Sequence, residues 1–187
     1  MFERFTKDAR AVVEGAVAQA ERLDDGKVEE SHVLLALLER EGSRGSFALT
    51  SLGLSAGRRE GVVRALAEAR RRGGLSRADA DALSGLGIDL SQIVYRVEEA
   101  HGQGALAGMR RRGSGRRPFG RGAKELLTDS LRVALGHRDR HIGDEHILLA
   151  LTSRPGVPAE VLADHGVTFE SLTRVLYGEG EGEAKAG

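Results

Sequence analysis

The sequence has no cysteine, no tryptophan and only three prolines among its 187 residues. The missing cysteine excludes disulfide frameworks, thiol catalysis and thiolate-held metal. Aromatic residues make up 4% of the chain, too few for the alternating aromatic pattern of a β-sandwich core. Net charge is absent too: 28 basic residues offset 28 acidic ones, whereas a dedicated nucleic-acid binder usually carries a basic excess. Lysine is scarce, with only Lys7, Lys27, Lys124 and Lys185, so most of the positive charge is guanidinium. No apolar run approaches the roughly 18–20 residues of a membrane span. The opening MFERFTKDAR mixes both charges and lacks the form of a signal peptide, so cytoplasmic residence is the expectation. What is present, 40% hydrophobic and 30% charged residues, suffices for a buried core and excludes a disordered chain.

The chain repeats itself. FTKDARAVVEGAVAQAERL from Phe5 returns as FGRGAKELLTDSLRVALGH from Phe119, an offset of 114 positions. In that register Ala9 falls on Ala123, Arg10 on Lys124, and Val12, Val13 and Val17 on Leu126, Leu127 and Leu131. The register continues into EESHVLLALL (Glu29 to Leu38) over GDEHILLALT (Gly143 to Thr152), with His32 on His146. After the loss of one residue, LTSLGLS from Leu49 lies over LADHGVT from Leu162, and Gly53 over Gly166. A register held over this length indicates duplication of one structural unit.

Each unit reads as four helices. The first has apolar positions three and four apart, one buried stripe. The second is apolar on most faces (Val33, Leu34, Leu35, Leu37; Ile147, Leu148, Leu149, Leu151) and belongs at the centre of a bundle. The third stops at Gly53 or Gly166, where a positive-φ terminator is expected. Ser55 and Thr168 then cap the fourth. Repeat 1 is assigned to residues 1–69 and repeat 2 to 119–177. Residues 70–118, which the second copy lacks, hold two more helical patterns capped by Ser76 and Asp89, with Ile93, Val94 and Val97 on one face. The stretch from Gln103 to Lys124, which runs from their end into the start of repeat 2, holds Arg110, Arg111, Arg112, Arg116, Arg117 and Arg121 and no acid, and reads as a mobile loop. Residues 178–187 read as a disordered tail. The fold class is all-α: two pseudo-symmetric four-helix repeats with an inserted helical segment and an Arg/Gly-rich loop.

The opening MFERFT, the duplicated four-helix unit and the second-helix motifs Glu30 to Leu37 and Asp144 to Leu151 resemble the N-terminal domain of Clp/Hsp100 unfoldases, especially the ClpC type. The resemblance covers about Met1 to Leu66 and Phe119 to Tyr177. It implies a helical double-repeat domain that receives substrates, adaptors or degradation signals for an ATPase ring. The motor itself has no counterpart here. A P-loop needs GxxxxGK(S/T), and the only Gly-Lys pair, Gly26-Lys27, is followed by Val28, with Glu21 where the first glycine belongs. The expectation is therefore a cytoplasmic, non-enzymatic Clp N-domain-like protein without cofactor. Its expected partners are peptides, adaptors, Clp components or a Clp-directed cyclic peptide antibiotic, and its role that of a regulator or decoy of Clp proteolysis.

Two sites follow from the resemblance. ClpC-type relatives receive phosphorylated arginine with a threonine and a glutamate at the start of the second helix. Those positions hold Glu30 and Ser31 in the first copy and Asp144 and Glu145 in the second. A resident carboxylate already suits a helix N-terminus, so these acids, like Ser31, Ser55 and Ser76, also read as plain caps; if a site survives, Glu145 carries it. Actinobacterial relatives bind cyclic peptide antibiotics where the first helices of the two repeats meet, and the matching positions are Phe2, Arg10, Phe119 and Lys124. Thr128 and Gly122 stand there in place of the usual Glu and Arg, and both phenylalanines also fit as ordinary core residues. Two further readings come from the residues alone. The six arginines could contact nucleic-acid phosphates, although a solvated charge run is the commoner reason for such a segment. His137 and His141 have the spacing of a zinc pair, but lack an HExxH motif or a third ligand. The equivalent places of His32 and His146 suggest packing and hydrogen bonding instead.

Overall fold

The computed structural model describes residues 2–107 and 117–178, and for Phe2 the backbone only. Four arginines of the loop (Arg110, Arg111, Arg112 and Arg116) and most of the tail lie outside the described residues. Within them the chain forms ten α-helices, two 3-10 turns (Phe2–Arg4 and Ala105–Ala107) and no β-strand. The first repeat is α1 (Lys7–Arg22), α2 (Glu30–Glu39), α3 (Arg44–Ser51) and α4 (Ala56–Arg71). The insertion supplies α5 (Arg77–Gly85) and α6 (Leu90–His101). The second repeat is α7 (Arg121–Gly136), α8 (Asp144–Thr152), α9 (Val157–Asp164) and α10 (Phe169–Tyr177).

Local chemistry sets these boundaries. Thr6 caps α1 by accepting the Ala9 N–H, and Ser43 caps α3 by accepting the Ser46 N–H. Gly53 and Gly166, at φ 82° and 80°, end α3 and α9 in the left-handed conformation that glycine adopts without strain. Ser55 and Thr168 stand at the caps of α4 and α10, and Ser76 and Asp89 at those of α5 and α6. The starts of α2 and α8 differ from the expected ones. Their caps are Glu29 and Gly143, so Glu30, Ser31, Asp144 and Glu145 belong to the first turns of these helices and are not their caps.

The two repeats interleave. α2 and α8 pack on each other at the centre, flanked by α1 and α7. α3 crosses onto α8 and α9 onto α2; α4 then lies on α9, and α10 on α3. Residues of both repeats, including Leu34, Leu49, Leu148 and Leu162, form a single buried cluster. The insertion sits outside it. α5 buries no residue, and α6 buries only Val94 of the expected apolar face, leaving Ile93 43% exposed. The reason is that α6 packs on little beyond the Ala105–Ala107 turn, which in turn lies on α4. A bidentate Arg71–Glu98 pair at 2.8 and 2.6 Å ties α6 to α4. With the Gly104 N–H, it holds the Glu98 carboxyl down to about 2.

Candidate functional site

Two equivalent backbone bridges join the repeats. The Thr6 N–H donates to the Ile142 carbonyl (2.9 Å) and the Ile142 N–H to that of Arg4 (2.8 Å). Shifted by 114, the Gly120 N–H donates to the Val28 carbonyl and the Val28 N–H to that of Pro118, both at 2.9 Å. Each bridge pins the start of a first helix against the loop before the other repeat's second helix. Arg10 and Lys124 thereby take equivalent, exposed places in the first turns of α1 and α7. The Arg10 Nε donates to the Phe5 carbonyl at 3.2 Å. Phe119 is half-buried against the core, whereas its counterpart Phe5 is fully buried. The side chain of Phe2 lies outside the described residues.

The acidic starts of α2 and α8 meet different surroundings. Asp144 is buried, accepting from the Ser43 hydroxyl at 2.5 Å and the Gly45 N–H at 3.2 Å, both at the N-terminus of α3. Glu145 is buried beside it and accepts from Arg44 at 3.0 Å. Burial, together with the neighbouring Asp144, pushes the Glu145 carboxyl above the usual range. In the first copy the corresponding helix N-terminus is that of α9, where Gly156 has no hydroxyl and Pro158 no N–H. Glu30 turns instead to Arg154, whose guanidinium donates to Glu30 at 2.8 Å, Asp129 at 2.5 Å and Glu125 at 3.1 Å.

Two buried histidines organise the same helix starts. His32 and His146, 2% and 1% exposed, each accept on Nδ1 the N–H of the cap residue, Glu29 (2.8 Å) or Gly143 (2.9 Å). Each donates from Nε2 to an aspartate at 2.9 Å, Asp25 or Asp139. The histidine does what a glutamate does in a capping box. The aspartates are aimed by left-handed residues just before them, Asp24 (φ 54°) and Arg138 (φ 59°), which end α1 and α7. The third member of each set differs: Arg70 donates to Asp25 at 2.5 Å, while the Tyr177 hydroxyl donates to Asp139 at 3.2 Å. Asp25, Asp139, Arg70 and Tyr177 were not singled out from the sequence, although Asp25 and Asp139 lie 114 positions apart and carry the same signal as the histidines.

Burial pushes both histidines below the ordinary imidazole value, outweighing the aspartates that favour the cation. The unfolded chain then binds more protons than the folded one as pH drops through about 6.5, so stability falls with it. Urea titrations between pH 7.5 and 5.5 are expected to give a midpoint that decreases with acid. In His32→Asn and His146→Asn that decrease is shallower, though both variants start lower at pH 7.5. Identical slopes in parent and variants would remove the histidines as its cause.

The remaining candidates fall in separate places. His137 stacks on Tyr177, and no group of three or more histidine, aspartate or glutamate side chains among the described residues is placed to hold a metal ion. Of the loop arginines, Arg117 pairs with Asp24 and Arg121 with Glu125. No helix among the described residues is long and apolar enough to cross a membrane.

The class defined by these features is an all-helical double repeat closed by reciprocal bridges. The chain matches, over residues 118–185, the family described as the Clp repeat (R) N-terminal domain. It is 31% identical over 189 residues to the chaperone protein ClpB of Oceanobacillus iheyensis, and 27% identical over 192 residues to the negative regulator of genetic competence ClpC/MecB of Bacillus subtilis. All of this chain is covered in both cases, but it spans only 18% and 19% of those proteins. Among solved structures, the N-terminal domain of the ClpD chaperone from Arabidopsis thaliana matches with a TM-score of 0.53 at 18% identity, covering 94% of each chain. A chain from a study of a malarial protein secretion system matches with a TM-score of 0.56 at 14% identity, covering 92% of each. These structural likenesses concern the fold.

Proposed function

We propose that the chain is a non-enzymatic cytoplasmic binding protein that recognises peptides, adaptors, Clp unfoldase components or Clp-directed cyclic peptides, and regulates Clp proteolysis by occupying ligands the unfoldase would otherwise engage. The observation that carries this reading is the pair of reciprocal bridges, which sets two equivalent first-helix starts at the junction of the repeats. Phe119 adds apolar surface there, and Arg10 and Lys124 add exposed donors suited to the rim of an interface; Phe2 belongs to the same proposed face. Asp144 and Glu145 form a lesser proposed site for a guanidinium ligand, which would have to displace Arg44 from Glu145.

The immobilised chain is expected to retain Clp ATPase subunits or adaptors from lysate, and to bind a Clp-directed cyclic peptide at micromolar concentration in calorimetry. Arg10→Ala with Lys124→Ala should weaken the peptide by about fivefold, roughly the 1 kcal/mol expected of a contributing interface residue. Retention of neither class of ligand would end the proposal.

A further inference from the structure

The second repeat contains a filled version of a cleft that, among the described residues, no aromatic side chain fills in the first repeat. Beside His146 the space is taken by Tyr177. Its ring stacks on His137, with centroids 3.8 Å apart and planes 4° from parallel, and the Arg44 guanidinium lies 5.6 Å from the ring centroid. Its hydroxyl lies 2.9 Å from the His146 Nε2 and 3.2 Å from Asp139, and Glu145 is a further charged neighbour. The duplication maps those five neighbours onto Leu23, Val157, His32, Asp25 and Ser31. All five line one cavity of about 1340 Å³. Among the described residues that line it there is no phenylalanine or tyrosine, and α4 presents Leu66, Ala67 and Arg70 to it.

We propose that this cleft is a second binding site, distinct from the α1/α7 face, and that it takes an aromatic side chain of a partner peptide, tyrosine ahead of phenylalanine. The chemistry of the walls suits a phenol. Asp25 uses one oxygen for His32 and the other for Arg70. A carboxylate oxygen has lone pairs for more than one donor, as Asp139 demonstrates by accepting from both His146 and Tyr177 through the same oxygen. The Arg70 guanidinium provides a cation for the ring face, in the role Arg44 plays over Tyr177. Leu23, Leu66 and Val157 provide the apolar contact. The volume exceeds the roughly 300–1,000 Å³ of small-ligand sites, so residues flanking the ring have room as well. The insertion contributes Leu106 and Ala107 to the wall, a part the second repeat does not have.

The test is an amide-resolved NMR titration with N-acetyl-tyrosinamide, N-acetyl-phenylalaninamide and N-acetyl-alaninamide. The tyrosine probe is expected to shift the amides of Leu23, Ser31 and His32 saturably. The phenylalanine probe should bind about tenfold more weakly, the usual worth of a hydrogen bond to a charged group, and the alanine probe should not bind. Ala67→Trp, at an exposed position of α4, fills the cleft from outside the core. It should abolish the shifts while leaving the amide spectrum of α7–α10 in place. Shifts confined to the first turns of α1 and α7, no saturable shift up to the solubility of the tyrosine probe, or unchanged binding in Ala67→Trp would each overturn the proposal. Because the amides of Arg10 and Lys124 report the first face separately, either site can fail without the other.

Discussion

Leu148→Ala is expected to destabilise the whole chain by about 2–5 kcal/mol, and Leu34→Ala by a similar amount, as befits a fully buried leucine whose neighbours relax only in part. Both side chains are 0% exposed, and they occupy equivalent places on the two central helices. The informative outcome is the form of the unfolding curve. If each repeat were its own folding unit, Leu34→Ala would destabilise one half and leave the other. The packing precludes this, because α3 completes the surroundings of α8, α9 those of α2, and the buried cluster runs through both. Thermal and urea unfolding followed by circular dichroism should therefore show one transition in the parent and in both variants, displaced as a whole. Two transitions, with only one of them displaced, would mean that the repeats are energetically separate.

Much of the architecture was legible from local pattern. Helix caps and glycine stops depend on a few consecutive residues, so Gly53, Gly166, Ser76 and Asp89 could be placed from sequence alone, and the offset of 114 revealed the duplication. The starts of α2 and α8 were misplaced by a residue or two, because the cap is completed by a histidine three residues on instead of the usual hydroxyl or carboxylate. The crossing of α3 onto α8 and the contact of α9 with α2 are long-range packing that periodicity does not encode. The same limit hid the different fates of Glu30 and Asp144. Their motifs look alike, but a serine and a glycine across the interface receive one, while a glycine and a proline turn the other away. In the sequence Tyr177 marks only the end of the second repeat. Its role emerges only when α10 is laid over α3 and α8, bringing it to His137, 40 positions earlier in the chain.

Arg154 should be the most consequential charged side chain in the molecule. It joins α2 of the first repeat to α7 of the second by contacting Glu30, Asp129 and Glu125, and it is only about a fifth exposed. Three carboxylates around one guanidinium are stable together only while that cation is present. The hydrogen bonds hold its pKa above even the ordinary arginine value, so it stays charged at any pH at which the chain is folded. Arg154→Ala leaves like charges facing one another. Removing one member of a well-buried ion pair costs about 3–5 kcal/mol; partial exposure here brings the expectation down to about 2 kcal/mol, since water screens what remains. The origin of the loss can be checked independently of its size. If it is repulsion among the three acids, added salt should restore part of the stability, and so should acidification into the carboxylate range, where the crowded acids take up protons more readily in the folded variant than in the unfolded chain. The parent chain should show the opposite trend in that range, because the Glu125 carboxyl, held below the usual range by hydrogen bonds from Arg121 and Arg154, loses an attraction when it is protonated. A variant whose deficit is the same at low and high salt and at pH 7 and pH 4.5 would show instead that Arg154 acts through the packing of its aliphatic stem.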